Sequence, residues 1–170
     1  MIRILASLAA LSLLAACAAQ DTAPPESAPP PPPQDASAPV WTPPPEPTRI
    51  LDRAGLDRLL ANKGTTLQWI DWDRRGSVHA RMEGETLRLT GIQTAHDGPG
   101  KLFFDGAVVE LGAGYFTFRG TIRITDTPDR GRVCEAEKLW HFAITQNRPY
   151  YRLREFEWCD GLTDYVDIYF

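Results

Sequence analysis

Few residues of this chain could do chemistry. The histidines are His79, His96 and His141, and none has metal-ligand spacing to another histidine or to a free cysteine. His96-Asp97 stands beside Gly98-Pro99-Gly100 and so belongs to a loop, where it could act as a base with its orienting carboxylate or be a solvated turn. Asp71 and Asp73 end an expected strand, Thr66–Trp72, and carboxylates two residues apart on a strand point the same way. They could bind a cation or form an acid/base pair; the plainer reading is a solvated strand end pairing with Arg74 and Arg75. Asp160, Asp164 and Asp167 make an oxygen-rich cluster without EF-hand spacing, which predicts a charged loop and rim. No G-x-S-x-G, P-loop or H-E-x-x-H motif occurs. The chain reads as a non-enzyme, without cofactor or metal.

Aromatic residues carry a stronger signal. Beyond residue 47 lie Trp69, Trp72, Trp140, Trp158, five tyrosines and seven phenylalanines, more than one core face needs. Tyr150, Tyr165 and Tyr169 fall on the outer parity of their strands. With Arg152 and Arg154 they could form an exposed aromatic-basic patch of the kind that meets a protein or glycan partner. The plainer readings are a second sheet packed over them or ordinary exposed tyrosines.

Elements must position these residues. Leu51–Asn62 is the one helix expected, with Leu51, Leu56, Leu59 and Leu60 on one side, Asp52 as its cap and Gly64 beyond its end. After Gly64 the period drops to two. Val78–Met82 and Thr86–Thr90 flank a hairpin at Glu83-Gly84-Glu85, and Leu102–Phe104 and Ala107–Leu111 flank Asp105-Gly106, a hairpin-turn dipeptide. Tyr115–Thr125 puts Phe116, Phe118, Ile122 and Ile124 on one face, and Pro128–Gly131 turns. Leu139–Thr145 and Pro149–Trp158 form a hairpin about Gln146-Asn147. Paired positions there sum to 293, setting Trp140 against Leu153 and Phe142 against Tyr151. His141 then faces outward. Cys134 and Cys159 share that sum and are expected to form a disulfide, with a bulge near Arg154-Glu155 reconciling the parities. Asp164–Phe170 is the last strand, pinned in the sheet. The fold class is therefore mainly β: a single antiparallel barrel or sandwich of about eight strands in meander order with one short N-terminal helix.

Charge and proline divide the 170-residue chain. Of 15 prolines, 12 fall between Pro24 and Pro47. The net charge of −4 is concentrated in the first 47 residues, which carry −3, while residues 48–170 are nearly neutral with both signs interspersed. That excludes a basic nucleic-acid footprint. Residues 1–16 read as a signal peptide, basic and then apolar, and residues 17–47 as a Pro-rich tether in which Trp41 is the one large apolar residue. Residues 48–170 form the β-domain.

Leu14-Ala15-Ala16-Cys17 resembles the lipobox of bacterial lipoproteins at all four positions, which implies lipidation of Cys17. Ala18 implies transfer to the outer membrane, with the body in the periplasm or exposed at the surface. From Phe116-Thr-Phe-Arg-Gly120 through Thr163–Phe170 the chain resembles a family of uncharacterised proteobacterial envelope proteins, a resemblance that brings no activity with it. The expectation is a lipid-anchored, non-catalytic envelope protein binding a protein or glycan. A lipocalin-like carrier of an apolar ligand and a hydrolase using His96 and Asp97 are the alternatives.

Overall fold

The computed structural model describes residues 46–170; Cys17, Trp41 and the rest of the expected signal and tether lie outside the described residues. Ten elements follow in chain order: β1 (Arg49–Ile50), α1 (Arg53–Leu60), β2 (Thr65–Leu67), β3 (Ser77–Glu83), β4 (Thr86–Thr94), β5 (Lys101–Gly112), β6 (Tyr115–Thr125), β7 (Val133–Ala143), β8 (Tyr150–Leu153) and β9 (Val166–Tyr169). Strands β3 to β9 pair with their sequence neighbours, and β2 adds to β9. Thr65 and Gly76 exchange two backbone hydrogen bonds, 3.1 and 2.8 Å, and so bring β2 round to the start of β3. The result is a nearly closed antiparallel meander barrel of eight strands with one short helix. Gln93 seals the remaining gap. Its side-chain oxygen accepts from Leu67 N at 2.6 Å, and its amide donates to Asp71 O and Arg74 O. At 2 % exposure this glutamine is buried with every polar atom used.

Alternation fills the interior. Phe116, Phe118, Ile122 and Ile124 are all buried, as the period of two predicts, and meet Leu102, Phe104, Trp140, Phe142 and Tyr151. Phe116 stacks on Phe142 at 4.8 Å, and Trp140 meets Trp158 edge-on at 5.1 Å. Twenty buried hydrophobic side chains pack into one cluster that occupies the barrel. The helix begins where Asp52 caps it, Oδ1 accepting from Ala54 N. Leu56 and Leu59 are buried, but Leu51 and Leu60 are 61 % and 43 % exposed, so the apolar stripe is narrower than its leucines imply.

Four expectations need correction. Strand β2 stops at Leu67, so Asp71 and Asp73 lie in a turn and not on a strand end. Asp105-Gly106 makes no turn: β5 runs unbroken from Lys101 to Gly112, with Asp105 opposite Thr90 and Gly106 opposite Gly120. Asp105 instead accepts from Thr90 Oγ1 at 2.6 Å and pairs with Arg88 at 3.0 Å. The β7–β8 register is slipped by two: Phe142 faces Leu153 and Ala143 faces Arg152, so Trp140 and Leu153 are not opposite. A slip of two leaves each side chain on its face, which is why the buried residues were still read correctly. No bulge forms at Arg154-Glu155: β8 ends at Leu153, Arg154 N still donates to His141 O at 2.8 Å, and the Glu155 carboxylate supplies the other half of that step by accepting from His141 N. The Cys134–Cys159 disulfide is formed and ties the loop after β8 to β7.

Candidate functional site

The β8–β9 register builds a ladder of rings and guanidinium groups on the outside of the barrel. Tyr150 lies opposite Tyr169 and Arg152 opposite Asp167. On these strands Tyr151, Leu153, Val166 and Ile168 point inward and are buried. The opposite parity therefore carries Tyr150, Arg152, Asp167 and Tyr169 outward. Tyr150 and Tyr169 meet at 5.1 Å between ring centroids. Arg152 lies over Tyr165 at 4.2 Å and over Tyr150 at 5.1 Å. Tyr165 meets Phe156 edge-on at 5.4 Å, and Arg154 covers Phe156 at 4.8 Å. At the other end Arg75 covers Tyr169 at 3.9 Å, and Trp72 lies 5.9 Å from the Arg152 guanidinium. Cation–π contacts of this kind contribute about 0.5–1 kcal/mol each where exposed and more when desolvated.

The five residues singled out in the sequence do come together, but not as a freely exposed patch. Tyr150, Arg152, Tyr165 and Tyr169 are half-buried and only Arg154 is exposed. The covering layer is the turn carrying Trp72 and Arg75, with the loop between β8 and β9. Arg152 is not a free cation. Its Nε and Nη2 bond both Asp167 oxygens at 2.7 and 2.6 Å, and Asp167 has no solvent exposure. Burial pushes the Asp167 carboxyl above its usual range, partly offset by Arg152; Asp167 in turn holds the Arg152 guanidinium up. Arg75, Arg148 and Arg154 have no carboxylate partner among the described residues. Arg148, Arg152 and Arg154 line one surface cleft with Tyr165 and Phe156, about 420 Å³ in volume. Trp72, Arg75 and Arg148 were missed because they reach this face from turns, which no strand parity describes.

The carboxylate cluster is also more than a rim. Asp164 and Asp167 have no exposure. Arg132, its side chain 5 % exposed, donates to Asp160 at 2.7 and 2.9 Å, to Asp164 at 3.0 and 2.8 Å, and to Thr127 O at 3.0 Å. Trp69 Nε1 gives Asp164 a further bond at 3.1 Å. The expectation of a solvated loop fails because the partner arginine lies 32 residues upstream of Asp164. Arg132 in turn holds the Asp160 carboxyl down at about 2.

A second cleft, about 650 Å³, brings together Asp71, Asp73, His96 and Asp97 with Asp126, Arg74 and Arg130. His96 Nε2 lies 3.7 Å from Asp97 Oδ1, and both side chains are open to solvent, 66 % and 92 % exposed. Asp71 Oδ1 already accepts from Asp73 N and Arg74 N, and these amides hold its carboxyl below the usual range. His79 is exposed on β3, and His141 faces outward as expected, stacked on Tyr115 at 5.6 Å.

Fold and site together define a small side-chain-filled meander barrel, stapled by one disulfide, with an aromatic-arginine face on its outside. The chain belongs to the PM1083 family, which matches residues 47–170, well beyond the C-terminal stretch whose motifs carry the resemblance in the sequence. It is similar to the uncharacterised protein PM1083 of Pasteurella multocida (strain Pm70), with 29 % identity over 116 residues, covering 67 % of this chain and 74 % of that protein. No solved structure matches.

Proposed function

We propose that this protein is a lipid-anchored component of the bacterial cell envelope whose β-domain is a non-catalytic binding module. Cys17 carries the lipid, the Pro-rich segment is the arm, and the outer membrane is the destination its lipobox and Ala18 imply. The partner, a protein or a glycan, docks on the β8–β9 face. The observation that carries this reading is the ladder around Arg152: three further arginines without carboxylate partners are held beside half-buried rings. Keeping like charges together on one face works against folding, and an acidic or hydroxyl-rich partner would offset it. A barrel filled with side chains does not support carriage of an apolar ligand inside it.

Two results are expected in cells. Cys17→Ser moves the protein from the membrane to the soluble fraction and removes the acyl mass. Arg148→Ser with Arg154→Ser leaves it in the membrane but weakens capture of its envelope partner by tenfold or more, roughly 1–2 kcal/mol for each hot-spot arginine. Membrane retention of Cys17→Ser would overturn the anchor, and undiminished capture would overturn the face. The convergence of His96, Asp97, Asp71 and Asp73 in one cleft favours a second reading, a hydrolase. It requires turnover of a cell-wall or ester substrate by the full chain that His96→Ala abolishes.

A further inference from the structure

We propose that the cleft between Arg148, Arg152 and Arg154 is a binding site for an acidic saccharide, a sugar bearing a carboxylate or phosphate group. This rests on the reading of the β8–β9 face as the docking surface and names what that surface takes.

Free donors and covered rings distinguish this cleft. Sugars that bind by stacking need open aromatic faces. Here each ring of the ladder already carries a guanidinium over one face: Arg75 on Tyr169, Arg152 on Tyr165 and Tyr150, and Arg154 on Phe156. The rings therefore act first as supports that hold the guanidinium planes in place. A guanidinium has five N–H donors and no acceptor. Arg152 uses Nε and Nη2 on Asp167 and Tyr150, leaving Nη1 without a partner among the described residues. Arg148 uses only Nη1, on the Tyr150 hydroxyl at 2.8 Å. Arg154 makes no side-chain hydrogen bond among the described residues, only its contact with Phe156. Three guanidinium groups thus share one cleft with a single compensating carboxylate, Asp167, which is buried behind Arg152. Oriented forks of this kind fit an oxyanion and bind it bidentately.

The setting of the cleft favours a saccharide over an acidic protein segment. It is an open surface cleft between two loops, and its volume of about 420 Å³ is within the range of small-ligand sites. Besides the arginines and rings, its wall holds Thr145 and Gln146, whose side chains exchange hydrogen bonds with sugar hydroxyls. An extended acidic peptide needs instead a long groove or a free sheet edge, and β8 has both edges paired, to β7 and to β9.

The test is calorimetric titration of the full-length chain in detergent with trigalacturonic acid, glucosamine 6-phosphate, maltotriose, inorganic phosphate and a hexaglutamate peptide. At low salt one or both acidic sugars bind, at least about tenfold more tightly than maltotriose, phosphate or the peptide. Arg148→Gln with Arg154→Gln weakens that binding by roughly tenfold or more for each arginine. Arg119→Gln, an exposed arginine on β6, leaves it unchanged and controls for loss of general charge. The proposal is overturned if neither acidic sugar binds, if maltotriose, phosphate or the peptide binds as tightly, or if the double variant binds like the wild type. If the acidic sugars fail while envelope capture still depends on Arg148 and Arg154, the saccharide proposal falls and the docking face stands. If both fail, the face itself is wrong.

Discussion

Arg132→Ala is expected to destabilise the β-domain by about 3–5 kcal/mol, the cost of leaving a buried charge without its partner. The variant removes five hydrogen bonds at once, four of them to carboxylate oxygens. Asp164, with no exposure, would keep only the Trp69 indole N–H and its place in the loop. A typical domain has 5–15 kcal/mol in total, so urea unfolding should shift far to lower midpoint, with the disulfide and the Glu155–His141 bonds left to tie the loop to β7. Arg132→Lys should recover part of the loss, since a single ammonium cannot reproduce the two forks. The acid response should change as well. In the wild type the Asp160 carboxyl is held down, from an ordinary value of 3.8 to about 2, by the guanidinium. Its contribution is fully present above about pH 4 and is lost as pH falls toward 2. Arg132→Ala should abolish that part of the acid dependence. A loss below about 1 kcal/mol with an unchanged acid profile would mean the cluster is a solvated surface network after all.

Gly106→Val should be more damaging than its strand position implies, about 3 kcal/mol or more and loss of soluble expression. A Cβ on Gly106 would lie 2.2 Å from Arg119 O and 2.7 Å from Gly120 Cα. Backbone cannot step aside as a side chain can, so β5 and β6 would have to separate beneath Phe118, whose ring is 2.8 Å from the same point. Gly84→Ala is the matched control: it sits in the β3–β4 turn at φ +61° with open space around it, and should cost only about 1–2 kcal/mol of left-handed strain. Equal melting temperatures for the two variants would contradict the close β5–β6 approach.

Gly106 also marks what a sequence can and cannot tell. Asp-Gly between apolar runs is a local turn signal, but here it is overridden by pairings with β4 and β6 that lie 14 or more residues away. Where the signal is long and strictly periodic, as over Tyr115–Thr125, the inward residues are all read correctly. The β7–β8 hairpin was legible in place but not in register. Gln146 and Asn147 both take positive φ, near 56° and 53°, and the connection between Ala143 and Tyr150 is wider than a two-residue turn. The site was half legible. Parity placed Tyr150, Arg152 and Tyr169 outward, but the charge of Asp164 and Asp167 implied solvent, when each is buried on an arginine that only the folded chain brings to it. Trp72 and Arg75 complete the ladder from a turn whose position depends on Gln93, a residue with no local signal of that role.

The proposed docking surface is the aromatic-arginine face of β8–β9. A photo-crosslinking residue placed in living cells at positions 145 and 146, which line the arginine cleft without replacing an arginine, and at positions 119 and 137 on the exposed sides of β6 and β7, checks that proposal. Discrete or glycan-broadened adducts are expected from 145 and 146 and none from 119 and 137. Adducts from 119 or 137 with none from 145 and 146, or no adduct at any position, would overturn it.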